Sequence, residues 1–341
     1  MITASVIGGT GYMGFELLRL LCRHPAAELL EVTSRTNSGK AIAESHPSLK
    51  GFLDIRYSEE LSDPSQNDVI FVAAPHGASM EIVPKLLESG VRVIDLSGDY
   101  RLGSAEVYEK WYGKKHTDPE NLSEAVYGLT ELNRSEISGA KLVANPGCYP
   151  TGAILSLSSA ANLNAIGGVL VVDSKSGTSG AGISPTEFTH HPFCASSVLP
   201  YKVGKHRHTP EIEIVLRKVG ASGMDGLSFT PHLVPIVRGI ETSCYFSLAD
   251  GFDFKALREE YRRFASRNLF VEYVDDVPRI SSVTGSNKCH LTVSELEGGL
   301  VAAFSVIDNL CKGGSGQAIQ NMNVMFGFDE KSGLDFPGLG V

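Results

Sequence analysis

The chain has 341 residues, of which 42% are hydrophobic and 20% charged, and its formal net charge is −9. This length exceeds one ordinary hydrophobic core and predicts two domains, while the composition is typical of a globular protein. The negative charge and the absence of a basic run disfavour a nucleic-acid partner, and every apolar run is too short to span a membrane. The chain start lacks the regions of a signal peptide, and six scattered cysteines favour a reducing cytoplasm over a disulfide framework.

The first element is a short apolar strand, residues 2–7, followed by a glycine-rich turn. Gly9-x-Gly11-x-x-Gly14 matches the dinucleotide-binding fingerprint, in which glycines allow a tight turn and bring a pyrophosphate close to the amino end of a helix. An apolar-faced helix and a second strand follow, and this order favours a cofactor site over a glycine turn without a ligand. The expected cofactor contacts in the turn are Gly8, Thr10, Gly11, Tyr12, Met13 and Gly14.

The end of the second strand indicates which dinucleotide binds. An NAD site usually has an acidic residue there for the ribose 2′-hydroxyl, but this chain has Ser34 and Arg35. A hydroxyl and a planar fork of guanidinium donors suit a 2′-phosphate, so the sequence favours NADP(H). The alternative is that Arg35 is an ordinary solvated arginine.

Two further strands, residues 68–74 and 91–96, end in small and polar residues. The alternating strands and helices predict a parallel, doubly wound Rossmann sheet, which binds ligands at the carboxyl ends of its strands. Ala74, Pro75, Ser97 and Gly98 are therefore expected to contact the cofactor. For His76 a cofactor-edge or capping role is favoured over catalysis, and Asp99 and Arg101 are read as a possible structural pair.

The stretch from Asn145 to Thr151, with the sequence NPGCYPT, follows another apolar strand and opens a helix. Pro150 suits the first helical turn, and Cys148 would lie at the amino end, beside unpaired N–H groups and the positive end of the helix dipole. This environment favours the thiolate, which is the nucleophilic form of cysteine. The alternative is a buried cysteine that acts only as a small apolar side chain.

The chain changes character after Cys148, because its strands become longer and more closely spaced. This predicts a second α+β domain with a mixed or antiparallel sheet built on the Cys148 helix. Residues 174–182, SKSGTSGAG, offer a series of backbone N–H donors suited to an anion or an oxyanion. A flexible glycine loop is the alternative reading.

A second chemical cluster, His206-Arg207-His208-Thr209-Pro210-Glu211, precedes a helix for which Thr209 is the predicted N-cap. Its histidines could be structural or bind a metal, but no third ligand is apparent. General acid–base chemistry suits the histidine pKa better.

The last strand, residues 300–307, leads into Asn309 and another glycine-rich helix start, which is expected to return to the first domain and touch the cofactor. The predicted domains are residues 1–147 with 310–341, which bind NADP, and residues 148–309, which carry catalysis and dimerisation.

Five stretches together resemble the N-acetyl-gamma-glutamyl-phosphate reductase family of arginine biosynthesis. They are residues 8–14, 145–151, 176–182, 206–211 and 308–313. The resemblance runs nearly end to end and keeps the motif order, and the PGCYPT sequence is its most specific part. Aspartate-semialdehyde and glyceraldehyde-phosphate dehydrogenases share the architecture but have different residues around their cysteines.

The resemblance implies NADPH-dependent reduction of an acyl phosphate to an aldehyde by a homo-oligomer, either a dimer or a tetramer. Cys148 would attack the acyl carbon to form a thioester, and His206 would protonate the oxyanion or manage the thiol proton. Ser179, Gly180 and Asn309 complete the expected cofactor contacts. The expected substrate contacts are Asn145, Ser179, Gly180, Tyr201, His208 and Arg238, although Arg238 could equally be a surface residue.

Two other functions stay open from the sequence. One is a related reductase of lysine biosynthesis whose substrate is attached to an acidic carrier protein, although the acidity of this chain argues against such docking. The other is a non-catalytic NADP-binding sensor, which the intact cysteine and histidine motifs disfavour.

Overall fold

The computed structural model describes all 341 residues. Its strands are β1 (Ile2–Ile7), β2 (Ala27–Thr33), β3 (Tyr57–Ser58), β4 (Val69–Val72), β5 (Arg92–Asp95), β6 (Val126–Tyr127), β7 (Leu142–Ala144), β8 (Ile166–Ser176), β9 (Leu199–Pro200), β10 (Met224–Leu233), β11 (Ile240–Leu248), β12 (Val271–Tyr273), β13 (Cys289–Glu295) and β14 (Leu300–Ile307). Its helices are α1 (Tyr12–Leu21), α2 (Ile42–Ser45), α3 (Ser79–Glu88), α4 (Ala105–Tyr112), α5 (Pro119–Glu124), α6 (Thr130–Gly139), α7 (Cys148–Asn162), α8 (His191–Cys194), α9 (His208–Val219), α10 (Phe254–Arg267), α11 (Ile280–Val283) and α12 (Gly316–Met325).

The chain divides into two compact units. Unit 1 comprises Met1–Pro146 and Gly314–Asp335, and unit 2 comprises Gly147–Gly313 and Phe336–Val341. None of the helices combines the length and the hydrophobicity that a bilayer crossing requires.

Unit 1 is built on a seven-stranded sheet in the order β3-β2-β1-β4-β5-β7-β6. Every strand pair in it is parallel. Strand β4 is buried along its whole length, as expected for a parallel sheet with helices on both faces. The strand order changes direction between β1 and β4, so a crevice for a ligand is expected outside the carboxyl ends of these two strands.

Unit 2 contains a mixed seven-stranded sheet in the order β12-β13-β14-β11-β8-β10-β9. The pairs β8–β10 and β12–β13 are parallel, and the other four are antiparallel. Helix α7 packs on β11 and β14 and is buried from Tyr149 to Ala161. Small residues allow this close packing, because a Cβ added to Gly152 would lie 3.3 Å from the Ser305 and Thr242 hydroxyl oxygens.

The predicted fold class, a parallel Rossmann sheet with an α+β unit containing a mixed sheet, is confirmed. One local prediction is wrong: Thr209 is not an N-cap but lies inside α9, which begins at His208 with Arg207 as its N-cap. The helix can begin early because Pro210 is still in the first turn, where the missing N–H removes no helical hydrogen bond.

Candidate active site

The glycine turn of unit 1 joins β1 to α1 at the point where the strand order changes. Gly8 has a φ of +89°, and a Cβ added to Gly14 would lie only 2.3 Å from the Gly8 carbonyl oxygen. By contrast, a Cβ added to Gly11 would meet no atom within 4 Å. Gly11 caps α1 without a side-chain hydrogen bond, and the first turn carries no acidic residue. The amino end of α1 therefore offers both the space and the N–H donors that a pyrophosphate needs.

The end of β2 presents Ser34 and Arg35 next to this turn in the sheet, since β1 and β2 are paired. Ser34 is buried, and its hydroxyl accepts a hydrogen bond from the backbone N–H of Asn37 at 3.2 Å. Arg35 is exposed. No carboxylate occupies the position that an NAD site uses for the ribose hydroxyl.

The other predicted cofactor residues of unit 1 lie in the loops after β4 and β5. Ala74 and Pro75 follow β4, and the buried Ser97 and Gly98 follow β5. The Ser97 hydroxyl donates to Asp95 at 2.7 Å. Burial raises the pKa of Asp95 to about 6, against the opposing effect of hydrogen bonds from Ser97 and Ser79.

Asn145 also belongs to unit 1, where it holds the tail helix to the sheet. Its side-chain N–H donates to the Gly314 carbonyl at 3.0 Å, and its side-chain oxygen accepts from Asn321 at 3.0 Å. Its backbone carbonyl accepts from Arg101 at 2.7 Å. The Arg101 guanidinium also donates to the Leu96 carbonyl, at 2.8 Å.

Cys148 is the first residue of α7 in unit 2 and is half-buried. Gly147 caps this helix, and its N–H donates to the buried carboxylate of Glu211 at 2.8 Å. A Cβ added to Gly313 would lie 3.0 Å from the Cys148 Cβ, so a larger residue there would crowd the cysteine. The arrangement places a thiol at the positive end of a helix, where negative charge is stabilised.

Aromatic rings surround the histidine motif. His206 lies 5.7 Å from Tyr149, 5.5 Å from Tyr201 and 4.8 Å from His208, measured between ring centroids. The Tyr201 hydroxyl donates to that of Tyr149 at 3.0 Å. Burial raises the pKa of both phenols, that of Tyr201 to about 12, so both hydroxyls stay protonated at neutral pH. The Tyr149 hydroxyl in turn donates to the His232 carbonyl at 3.2 Å.

The protonation of His206 is set by its surroundings. Burial, followed by the charges of Lys202 and Arg207, lowers its pKa to about 3. Its Nδ1 atom accepts the backbone N–H of His208 at 3.2 Å. A neutral imidazole whose Nδ1 accepts carries its proton on Nε2, so His206 presents one N–H donor at neutral pH.

We expect this lowered pKa to destabilise the protein in acid. Above pH 6.5 His206 is neutral in both states, whereas below it only the unfolded state takes up a proton until the pH approaches 3. His206→Gln should therefore lose less stability than wild type between pH 7.5 and 5, by up to about 2 kcal/mol. Urea unfolding at both pH values measures the difference, with the exposed His191→Gln as control. Equal acid losses in wild type and His206→Gln would contradict it.

Ser179, Gly180 and Asn309 lie together in unit 2. The Asn309 amide donates to the Ser179 hydroxyl at 2.9 Å, and a Cβ added to Gly180 would lie 3.6 Å from the same nitrogen. The Asn309 oxygen accepts the Gly239 N–H at 2.7 Å. Arg238 forms a bidentate ion pair with the buried Asp308, through Nε at 2.8 Å and Nη2 at 2.9 Å. These contacts fix the end of β14 against the loop after β8.

Three residues of this site were given no role from the sequence. Glu211 anchors Gly147, Asp308 holds Arg238, and Tyr149 connects Tyr201 with the histidines. The available signals were weak: Glu211 reads as an ordinary acidic residue of a first helical turn, and Asp308 as the polar end of an apolar strand.

Comparisons with known proteins match two separate domain families to the two parts of the chain. Residues 3–140 match the model of the semialdehyde dehydrogenase NAD-binding domain, and residues 148–309 match that of the semialdehyde dehydrogenase dimerisation domain. An N-acetyl-gamma-glutamyl-phosphate reductase from Methanosphaera stadtmanae is 48% identical over 99% of this chain and 98% of its own. One from Methanocaldococcus jannaschii is 47% identical over 99% of both chains.

The chain belongs to the N-acetyl-gamma-glutamyl-phosphate reductase family. The predicted family is thus confirmed, and the chain is an oxidoreductase with an NAD(P)-binding domain. The carrier-linked reductase and the non-catalytic sensor are not favoured, since the full-length relatives are N-acetyl-gamma-glutamyl-phosphate reductases.

Solved structures of this reductase's fold include more distant enzymes. An aspartate semialdehyde dehydrogenase II from Vibrio cholerae has a TM-score of 0.74 at 18% identity, covering 95% of this chain and 98% of that one. An aspartate semialdehyde dehydrogenase with NADP from Candida albicans has a TM-score of 0.68 at 15% identity, covering 98% and 99%. At these identities the likeness shows the fold alone.

Proposed function

We propose that this chain catalyses the NADPH-dependent reduction of N-acetyl-L-glutamyl 5-phosphate to N-acetyl-L-glutamate 5-semialdehyde, with release of phosphate, in arginine biosynthesis. The observation that carries the proposal is the position of Cys148, a half-buried thiol at the amino end of α7 in a chain 48% identical to a reductase of that name. Covalent acyl transfer needs a nucleophilic side chain that is both accessible and activated, and Cys148 has a position that suits this role.

In this mechanism the Cys148 sulfur attacks the acyl carbon of the substrate. A carbon–sulfur bond forms, the bond from that carbon to the phosphate oxygen breaks, and phosphate leaves with the bonding electrons. NADPH, when bound, supplies the hydride that reduces the resulting thioester. The carbon–sulfur bond then breaks, releasing the aldehyde and returning the electron pair to sulfur.

His206 has the role of a hydrogen-bond donor in this proposal. Because its imidazole is neutral and its Nδ1 is occupied by the His208 N–H, the Nε2 proton is available to an oxyanion on the acyl carbon. Glu211 holds Gly147 and thereby keeps the amino end of α7 in place.

The substrate's polar groups need further donors. Ser179 and Gly180, in the loop fixed by Asn309, are assigned to the leaving phosphate and to the edge of the cofactor. Tyr201 and His208 are assigned to the body of the substrate. Arg238 is assigned to its carboxylate, although the Asp308 pair already engages its Nε and Nη2 atoms. Asn145, which follows the strand before Cys148, is also assigned to substrate binding.

The choice of NADP(H) over NAD(H) rests on the end of β2. The amino end of α1 suits a pyrophosphate, and the exposed Arg35 beside Ser34 suits a 2′-phosphate, with no carboxylate to repel it. The contacts assigned to this cofactor in unit 1 are Gly8, Thr10, Gly11, Tyr12, Met13, Gly14, Ser34, Arg35, Ala74, Pro75, Ser97 and Gly98.

Residues 1–147 with 310–341 are assigned to NADP binding, and residues 148–309 to catalysis and dimerisation. A homodimer, with assembly to a tetramer as the alternative, fits the match to a dimerisation domain. Cytoplasmic location fits the six reduced cysteines, because a thiol nucleophile must stay reduced.

The reverse reaction tests the proposal. Purified protein is mixed with N-acetylglutamate semialdehyde, phosphate and NADP, and NADPH formation is followed by absorbance. We expect turnover that requires phosphate and is faster with NADP than with NAD at equal concentration. Aspartate semialdehyde serves as the control substrate. Turnover of aspartate semialdehyde alone, or no dependence on phosphate, would refute the assignment.

A further inference from the structure

Two loops of unit 1 are joined by a reciprocal pair of hydrogen bonds. The loops leave β4 and β5, which are adjacent parallel strands, at their carboxyl ends. The backbone N–H of Gly77 donates to both carboxylate oxygens of Asp99, at 2.9 and 2.8 Å. In the other direction, the N–H of Gly98 donates to Nδ1 of His76 at 2.9 Å. Each loop therefore gives the other one backbone donor and one side-chain acceptor.

Asp99 is completely buried, and its own position is fixed by several contacts. The Tyr108 hydroxyl donates to its carboxylate at 2.8 Å, and its backbone N–H donates to the Ser97 hydroxyl at 3.1 Å. Nε2 of His116 lies 2.9 Å from its carbonyl oxygen. Burying a carboxylate is unfavourable unless hydrogen bonds satisfy it, and an apolar side chain would avoid that penalty. This carboxylate accepts the backbone N–H of Gly77, which an apolar residue could not do, and it thereby holds Gly77 in place.

The hold on Gly77 matters because glycine has little intrinsic preference for one backbone conformation. Gly77 has a φ of +88°, and glycine populates positive and negative φ with similar ease. It lies two residues after Pro75, in the loop assigned to the cofactor. A loop that must be ordered when a ligand binds lowers the affinity by the cost of that ordering. Fixing Gly77 in advance removes this cost.

We infer that Asp99 is a positioning residue for the dinucleotide: by holding Gly77, it keeps the loops 75–77 and 97–98 in the cofactor-binding arrangement. The inference rests on the proposed function, which assigns these loops to the cofactor. It concerns the affinity for NADPH and not the chemical step, so it predicts different effects on binding and on turnover. Binding should weaken, while the turnover rate at saturating NADPH should change little.

The test uses Asp99→Leu and Asp99→Asn in the full chain. Asp99→Leu removes the acceptor of both the Gly77 N–H and the Tyr108 hydroxyl. Because the hold on Gly77 is lost, it should raise the Kd for NADPH by at least about tenfold, with kcat at saturation within about twofold. Asp99→Asn keeps an oxygen that can accept from Gly77, so it should rescue most of the affinity. Fluorescence titration gives Kd, and hydrogen exchange of the Gly77 amide, faster in Asp99→Leu, reports the lost bond directly.

Tyr100→Phe is the matched control. It removes another hydrogen bond of the same unit, the partly buried one from Tyr100 to Asp118 at 2.7 Å, without touching the reciprocal pair between the two loops. It should lower stability and leave the Kd for NADPH unchanged. Equal Kd values for wild type and Asp99→Leu, or an equal weakening by Tyr100→Phe, would overturn the inference.

The two substitutions of Asp99 also cover the cases in which one variant does not fold or the proposed function fails. If Asp99→Leu does not fold, Asp99→Asn decides, because its Gly77 exchange rate and its Kd for NADPH should stay near wild type or change together. Faster Gly77 exchange with a wild-type Kd, or a weaker Kd with wild-type exchange, would overturn the inference. Failure of the proposed function would appear in wild type itself, as NADPH binding without turnover of N-acetylglutamate semialdehyde. The Kd ratios of the variants would still report on Asp99 in that case.

Discussion

Replacing Cys148 with serine should reduce turnover of N-acetylglutamate semialdehyde by at least about 10³-fold, with NADPH binding within about twofold of wild type. The serine hydroxyl would occupy nearly the same place at the amino end of α7. It would not ionise at neutral pH, however, and a neutral hydroxyl is a poor nucleophile toward an acyl carbon. The cofactor contacts assigned in unit 1 are unchanged by the substitution. Turnover is measured by phosphate-dependent NADPH formation, and binding by fluorescence titration.

Cys22→Ser is the control for this substitution. Cys22 is also half-buried, and its sulfur donates to the Arg19 carbonyl at 3.2 Å, a bond that a serine hydroxyl can replace. This variant should keep the wild-type rate. If Cys148→Ser retained more than about a tenth of the wild-type rate, the covalent thioester mechanism would be refuted, because removal of the nucleophile should lower the rate far more than tenfold.

Local sequence patterns were sufficient where a residue's role depends on its near neighbours. The start of α7 at Cys148 follows from a Gly-Cys-Tyr-Pro sequence after an apolar strand, because proline and the helix dipole act within one turn. The glycine turn before α1 follows for the same reason, since its close contacts are made between Gly8, Gly9 and Gly14.

The same patterns were insufficient where the partner is distant in sequence. Arg238 and Asp308 are 70 residues apart, and Gly147 and Glu211 are 64 apart. Nothing near Arg238 distinguishes a substrate-facing guanidinium from one that pairs with a buried carboxylate. The order of strands in both sheets is equally non-local, because it depends on crossovers that helix and strand periodicity do not encode.

Asp308 is expected to be the most important of these distant partners for stability. Its carboxylate accepts from two nitrogens of Arg238 and from the backbone N–H groups of Gly285, Leu310 and Cys311. Asp308→Leu would leave these donors without their acceptor in a buried place. Breaking a buried ion pair by removing one partner costs about 3–5 kcal/mol, and we expect a loss of this size in the free energy of unfolding.

Urea unfolding of wild type, Asp308→Leu and Asp275→Leu measures this loss. Asp275 also pairs with an arginine, Arg262, at 2.6 Å, but its side chain is 78% exposed and that of Arg262 is 42% exposed. Because exposed pairs are screened by water, Asp275→Leu should cost much less than Asp308→Leu. Equal losses in the two variants would show that burial of Asp308 is not what makes its contacts strong. A large loss confined to Asp308→Leu would show that this carboxylate, by engaging both Arg238 and the backbone after β14, holds the loop that carries Asn309 and contacts Ser179.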